Sequence, residues 1–157
     1  MTSKTTMYAA IAVVIIIVAV GGYYYWMSTQ SQTTPPPPGT VSITIYGGEV
    51  SASNYGWGMT SSKLTSPGPT LNMTVGTTYK VTFNNVGQFP HAWVIKAANS
   101  VGATTMWNAA IASAGNPISP GQSGSVTFTP TQAGTYYYLC PVPGHDDLGM
   151  WGLVKVS

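Results

Sequence analysis

From residue 41 to the C-terminus, apolar and polar residues alternate along short segments separated by glycine, proline and asparagine. A period of two places successive side chains on opposite faces, which is the pattern of a half-buried β-strand. The predicted strands are residues 41–46, 71–75, 78–84, 89–96, 124–129, 135–140 and 150–156. About seven short strands with frequent turn signals predict an all-β fold, a Greek-key β-sandwich.

Two stretches depart from this alternation. Residues 103–112 are rich in alanine and predict one short helix that crosses a face of the sandwich. The glycine pair at residues 47–48 predicts the end of the first strand, and the glycine- and serine-rich residues 49–66 show no clear period. The large apolar residues of this second stretch are candidates to cover the core or the rim of a site: Tyr55, Trp57 and Met59.

Residues 7–27 form an uncharged and mostly apolar segment. A helix of about 20 residues rises roughly 30 Å, the thickness of the hydrocarbon core of a bilayer, and a lone segment in lipid must satisfy its own backbone as a helix. The aromatic residues 23–26 fit the belt at the far interface. Lys4 precedes the segment, which predicts a cytoplasmic tail of residues 1–6 and an extracellular C-terminal part anchored in the plasma membrane.

A cleaved signal peptide is the alternative for this segment, because it also has a cationic start and an apolar middle. The small-residue cleavage pattern is poor, and an aromatic cluster stands where cleavage would occur, so the uncleaved anchor is favoured. Residues 28–40 contain four consecutive prolines and predict a linker that is stiff in its proline-rich part. This linker holds the domain of residues 41–157 away from the membrane.

Charged residues are scarce, with five lysines, no arginine and three acidic residues in 157. A soluble domain carries about a quarter charged residues. A protein with few carboxylates loses few ion pairs when they protonate, so an acidic habitat is our hypothesis, with an ordinary extracellular β-domain as the alternative. The absence of arginine and of any basic run argues against nucleic-acid binding.

The candidate chemistry lies in the pattern Cys140-x4-His145-x4-Met150 and in His91, the one other histidine. A thiolate, two imidazoles and a thioether form a soft ligand set that suits copper in a trigonal site with a long axial methionine. Zinc is the nearest alternative metal, but methionine is a poor ligand for it. A catalytic cysteine–histidine pair lacks an orienting Asn or Asp beside His91. With a single cysteine the chain has no internal disulfide and no binuclear copper site.

This ligand pattern, with the Cys-Pro-Val-Pro-Gly-His run at residues 140–145, resembles the type 1 (blue) copper proteins of the cupredoxin family. The spacing is similar to that of rusticyanins and archaeal sulfocyanins, and most similar to sulfocyanins, which also join such a loop to a membrane-anchoring N-terminus. The resemblance implies a cupredoxin domain over residues 41–157. It also implies one copper ion, with His91, Cys140 and His145 as equatorial ligands and Met150 as the axial ligand.

The surroundings of the copper depart from the family in one respect, because many cupredoxins follow the upstream histidine with a side chain that hydrogen-bonds to the cysteine strand. Here Ala92 offers only its backbone, and Pro141 and Pro143 remove two N–H groups near the sulfur. The axial methionine, the apolar shell and the likeness to the family predict a high reduction potential. Electrons are expected to cross at the exposed edge of a histidine within a small apolar patch. The residues of this electron-transfer patch are His145, Val142, Pro143, Phe89 and Pro90.

These features predict a membrane-anchored one-electron carrier rather than an enzyme, because four protein ligands leave no vacant position for a substrate. Its implied partners are the membrane and respiratory complexes such as a haem-copper terminal oxidase, in an acidophilic archaeon, with no small-molecule substrate. An extracytoplasmic copper-handling or oxidase-assembly protein is the alternative function. Asn72 begins an Asn-x-Thr sequon and is a candidate glycosylation site.

Overall fold

The structure is a computed structural model that describes Gly22 and residues 39–157. The chain divides into two units, Met1–Pro35 and Pro36–Ser157, and all described residues except Gly22 belong to the second. The predicted cytoplasmic tail, the membrane anchor apart from Gly22 and most of the linker therefore lie outside the described residues. Within the described part of the chain, no helix is both long enough and apolar enough to cross a membrane.

Residues 39–157 form ten β-strands in two sheets of five. The strands are β1 (Val41–Ser51), β2 (Asn54–Thr60), β3 (Lys63–Thr65), β4 (Leu71–Met73), β5 (Tyr79–Asn85), β6 (Trp93–Lys96), β7 (Thr105–Ile111), β8 (Ser123–Phe128), β9 (Gly134–Leu139) and β10 (Trp151–Val156). The first sheet has the order β3-β2-β1-β5-β8, and the second has the order β4-β10-β9-β6-β7. Both sheets are mixed, because β1 runs parallel to β5 and β4 runs parallel to β10. The predicted all-β sandwich is confirmed.

Inward-facing side chains of the two sheets meet in one core. In β5, the alternation predicted from sequence is observed, with Tyr79, Val81 and Phe83 buried and the residues between them half-buried. Trp57 of β2 packs edge-on against Phe83 and against Tyr138 of β9, with ring centroids 5.3 and 5.8 Å apart. Each such aromatic pair contributes about 0.5–1.5 kcal/mol beyond the area it buries. This packing fixes β9 relative to the first sheet.

The helix predicted at residues 103–112 is wrong. Thr105–Ile111 forms strand β7, which pairs antiparallel with β6 at the edge of the second sheet. Alanine favours a helix when only local propensity decides. Here the hydrogen bonds to β6 and the burial of Ala109 and Ile111 in the core outweigh that preference.

Strand β7 bends in its middle because two consecutive residues, Trp107 and Asn108, have φ of 51° and 54°. The left-handed region is unfavourable for a bulky residue and persists only where packing compensates for it. The Trp107 ring stacks on Phe128, with centroids 6.2 Å apart and 4° between the planes, and it meets the Tyr136 ring at 4.7 Å. The bend thus turns an edge-strand tryptophan back onto the core.

The first strand also differs from its prediction. Gly47 and Gly48 do not end it, because β1 continues to Ser51 and pairs with β2 across both glycines. The residues without a clear sequence period therefore contain the end of β1 and the whole of β2 and β3. Trp57 lies in the core, whereas Met59 is 49% exposed at the surface.

Candidate metal centre

The ends of two paired strands bring three ligand atoms together. Cys140 directly follows β9, and His91 lies just before β6, the strand that pairs with β9. His145 lies in the loop between Cys140 and β10. The Nδ1 atoms of His91 and His145 are 3.0 Å apart, and the Cys140 Sγ lies 4.0 Å from the first and 3.5 Å from the second. Three of the four ligands predicted from sequence therefore point at one centre.

These separations fit a metal ion held between the three atoms. With bonds of about 2.0 Å to imidazole nitrogen and about 2.3 Å to thiolate sulfur, three ligands in a trigonal plane lie about 3.5–3.7 Å apart. The observed separations of 3.0, 3.5 and 4.0 Å bracket that range. Two imidazoles and one thiolate in a plane are the donor set of a blue copper site.

Met150, the fourth predicted ligand, is fully buried and packs in the same core cluster as Cys140. Its N–H donates to the carbonyl of His145 at 2.9 Å, and its carbonyl accepts the N–H of Cys140 at 3.0 Å. The backbone of Met150 is thus tied directly to two other ligands. Its thioether suits the long axial position of a trigonal copper site.

The loop of residues 141–149 is held by its own hydrogen bonds and by a contact with Ser66, in the segment between β3 and β4. The N–H of His145 donates to the Val142 carbonyl at 3.1 Å. Gly149 has φ of 88°, and a Cβ on it would collide with the Ser66 hydroxyl, which donates to the Gly149 carbonyl at 3.2 Å. Only glycine fits there without displacing Ser66, so the close approach holds the loop in place.

The Cys140 sulfur is buried, and the N–H of Ala92 approaches it at 3.4 Å. Burial raises the pKa of the Cys140 thiol to about 11, although the N–H groups of Ala92 and Val142 favour the thiolate. Pro141 and Pro143 have no N–H to add. Copper binding must therefore displace a proton from this thiol.

Both imidazoles are held in the neutral form that binds metals. Burial lowers the pKa of His91 to about 4, and the neighbouring His145 lowers it as well, while Glu49 acts in the opposite direction. Burial also lowers the pKa of His145, against the opposing effect of Glu49 and Asp146. At neutral pH neither histidine has to lose a proton before it binds copper.

Glu49 is a residue of the site that sequence reasoning missed. Its Oε1 lies 3.4 Å from His91 Nε2, and its carboxylate accepts the N–H groups of Gln88 at 2.8 Å and Phe89 at 3.2 Å. Burial pushes the pKa of Glu49 upward, but those N–H groups and His91 outweigh burial and lower it overall. The only sequence signal was that Glu49 is the single glutamate of the chain.

Aromatic rings cover the side of the centre that faces the solvent. The Tyr55 ring lies 4.4 Å from the His145 ring and 5.4 Å from the His91 ring, measured between centroids. Phe89, which is 52% exposed, meets Tyr55 edge-on at 6.3 Å. Of the three residues proposed for the core or the rim, Tyr55 therefore lies at the rim of the metal centre.

The predicted electron-transfer patch is a partly exposed surface. Three of its residues are exposed and two are half-buried: Pro143, Phe89 and Pro90, then Val142 and His145. Leu148, which is 40% exposed, accepts the Tyr55 N–H at its carbonyl at 3.0 Å, and the Tyr55 ring contacts Phe89 and His145 of the patch. The role of this patch in electron transfer stays a prediction.

Asn72 is exposed on β4, between two buried residues of that strand. Strand β4 is at the edge of the second sheet, where it pairs with β10 alone. The side chain is accessible to modification, and its glycosylation stays a prediction.

Comparisons with known proteins agree with the site. The family model for copper binding proteins of the plastocyanin/azurin family matches residues 61–157, which include all four ligands. Rusticyanin from Acidithiobacillus ferrooxidans is 41% identical over 96 residues, which are 57% of this chain and 61% of that rusticyanin. This chain thus matches less than two thirds of the length of that relative.

Solved structures show the same architecture. Rusticyanin from Thiobacillus ferrooxidans superposes with a TM-score of 0.53 at 29% identity, covering 76% of this chain and 78% of the other. Auracyanin B superposes with a TM-score of 0.54 at 22% identity, over 76% and 90% of the two chains, which shows a shared fold. The family match, the fold and the converging ligand atoms agree: this chain belongs to the plastocyanin/azurin family of copper binding proteins and carries a type 1 copper site formed by His91, Cys140, His145 and Met150.

Proposed function

We propose that this chain is a membrane-anchored blue copper protein that carries single electrons in a respiratory chain on the outer surface of the plasma membrane. The observation that carries this proposal is the convergence of His91 Nδ1, Cys140 Sγ and His145 Nδ1 within 3.0–4.0 Å of one another. With Met150 as the axial ligand, all copper positions are filled by protein. A catalytic metal keeps an open position for water or substrate.

The packing around the ligands supports electron transfer as the purpose of the site. His91, Cys140 and Met150 are fully buried, and His145 is tied through its backbone to Met150. A ligand set held this firmly changes little when copper passes between Cu(I) and Cu(II). Half-buried His145 and exposed Phe89 both contact the Tyr55 ring, and exposed Pro143 lies in the same loop as His145. This surface suits a brief encounter with a redox partner.

The membrane anchor, the cellular location and the partner rest on the sequence. The apolar segment of residues 7–27 follows Lys4, which favours a cytoplasmic N-terminus and an extracellular copper domain. The combination of this segment with the 140–145 loop supports a sulfocyanin-like protein that passes electrons toward a haem-copper terminal oxidase. The scarcity of carboxylates supports an acidic habitat, and the likeness to archaeal sulfocyanins supports an archaeal source.

The electron-carrier function is tested on full-length protein supplied with copper. We expect an intense visible absorption that a reductant bleaches and an oxidant restores over repeated cycles. Cys140→Ala removes the thiolate and abolishes the band, whereas Met59→Leu, at an exposed methionine outside the site, leaves it unchanged. A protein that binds copper but does not cycle reversibly would contradict the carrier function and favour copper handling.

The location and partner are tested in the native host. We expect the protein in the membrane fraction with an intact mass that includes residues 1–27, and a copper domain that protease reaches from outside the cell. Purification from gently solubilised membranes should retain a haem-copper oxidase whose haem accepts an electron from the Cu(I) form of the protein, which becomes Cu(II). A mature protein that begins beyond residue 27 would show that the segment is a cleaved signal peptide.

A further inference from the structure

The side of the His91 ring that faces away from the other ligand atoms carries Nε2, which does not bind the metal. His91 directs Nδ1 toward Cys140 and His145, so Nε2 carries the ring proton when Nδ1 binds a metal. This Nε2 is buried and completes no hydrogen bond with any residue that the structure describes. The charged group facing it is Glu49, whose Oε1 lies 3.4 Å away.

The position of Glu49 is built by the surrounding backbone. Its carboxylate accepts the N–H groups of Gln88 and Phe89, which belong to the segment that leads into His91. A Cβ on Gly87 would lie 2.6 Å from Glu49 Oε2, so only glycine lets the carboxylate approach this closely. The pairing of β1 with β2 shifts register between Glu49 and Ser51, and such an irregularity re-aims a side chain.

We propose that Glu49 is a positioning residue for the copper site: its carboxylate accepts a hydrogen bond from the Nε2–H of His91 and holds that ring in its ligating orientation. A carboxylate behind a metal-binding histidine fixes the tautomer and raises the basicity of the ligand. Its negative charge also favours Cu(II) over Cu(I), because the oxidised ion carries one more positive charge. The proposal rests on the copper site itself and is independent of the membrane anchor and the redox partner.

The effect of Glu49 on the orientation of the His91 ring and the effect of its charge on copper can be measured separately. Glu49→Gln preserves the size of the side chain and one carbonyl acceptor, but it removes the charge that faces His91. At a fixed solution potential we expect the Cu(I)/Cu(II) ratio to rise about tenfold, equivalent to about 59 mV for a one-electron couple. We also expect copper loss to a chelator to accelerate about tenfold or more, and the Cu(II) electron paramagnetic resonance spectrum to change.

Two further variants separate these effects. Asp147→Asn removes the same charge from the exposed part of the ligand loop, and it should leave the ratio, the rate of copper loss and the spectrum as in the unmodified protein. Glu49→Asp keeps the charge but withdraws the carboxylate by one methylene, so it should alter the spectrum and the copper loss while the ratio changes less than about threefold.

Two outcomes would refute the positioning role of Glu49. If Glu49→Gln lowers the thermal midpoint but matches Asp147→Asn in potential, copper loss and spectrum, Glu49 only clamps the segment before His91. If Glu49→Gln does not fold, Glu49→Asp decides, because a spectrum and copper-loss rate equal to those of the unmodified protein would then refute the positioning role.

Discussion

Cys140 and His91 are both buried. Burial favours the protonated thiol of Cys140 and the unprotonated imidazole of His91. It raises the pKa of the Cys140 thiol to about 11 and lowers the pKa of His91 to about 4. Between these values the metal-free protein holds a neutral thiol and a neutral imidazole. Copper therefore replaces one thiol proton at neutral pH, and it begins to compete with protons on His91 only in acid.

Acidification should destabilise the metal-free protein mainly through His91. Its pKa is about 4 in the folded protein and 6.5 when unperturbed, so below pH 6.5 the unfolded chain binds a proton that the folded protein does not. Stability from this residue is fully present above pH 6.5 and declines as pH falls toward 4. At about 1.4 kcal/mol per pKa unit the total loss is about 3 kcal/mol.

Urea unfolding of the metal-free protein between about pH 7.5 and pH 4 measures this loss. The metal-free His91→Gln variant is the control, because it has no imidazole to protonate at that position. It should lose much less stability over the same interval, with the remainder due to His145 and Glu49, whose pKa values are also lowered in the folded protein. Equal losses in both proteins would contradict the prediction.

At the residue scale, local spacing was enough to predict the four ligands. Cys140, His145 and Met150 lie within eleven residues, and the only other histidine completed the set. Glu49 was beyond the reach of that reasoning, because its contact with His91 depends on how far β1 extends past Gly47 and Gly48. That register is set by pairing between distant strands.

Among the elements, prediction succeeded where burial on one face produced a clean alternation and failed at the edge of a sheet. β5 packs one face on the core, so its sequence period matches the structure. β7 pairs on one side only, and its bend at Trp107 and Asn108 breaks the period of two. An alanine-rich segment with that irregularity favours a helix until its partner strand is known.

Ala112, the residue that follows β7, has a strained backbone conformation that a substitution can relieve. Ala112 has φ of 64°, and the left-handed region costs a residue with a Cβ about 1–2 kcal/mol. Glycine adopts this region freely but loses more entropy on folding, about 0.5–1 kcal/mol. Ala112→Gly should therefore stabilise the protein by about 0.5–1 kcal/mol in urea unfolding.

Ala109 is the matched control for this substitution. It is a buried alanine of β7, the strand that ends just before Ala112, and its φ is not in the left-handed region. Ala109→Gly removes a buried methyl group and adds chain entropy, so it should destabilise by about 1 kcal/mol. If the two substitutions shift stability in the same direction and by similar amounts, the backbone of Ala112 is not strained.

For the whole molecule, few surface carboxylates are present to protonate, so we expect the loss of stability in acid to come mainly from the copper ligands. In the part of the chain that the structure describes, the contact between Glu49 and His91 is the only acid–base pair within 4.0 Å. Acid unfolding of most proteins comes from carboxylates that lose paired partners. Here the groups with lowered pKa include both histidine ligands, so copper occupancy sets the acid limit of the domain.

The same scarcity predicts that stability depends little on salt. Salt weakens interactions between exposed charges, and exposed ion pairs contribute about 0–1 kcal/mol each. With five basic and three acidic residues in the chain, both attraction and repulsion at the surface are small.

The thermal midpoint of the copper-loaded protein should change by less than about 2 °C between about 0.02 and 0.5 M sodium chloride. Sodium sulfate at the same ionic strength is the positive control, because exclusion of sulfate from the surface should raise the midpoint. A large shift in sodium chloride would mean that surface charge does stabilise this fold.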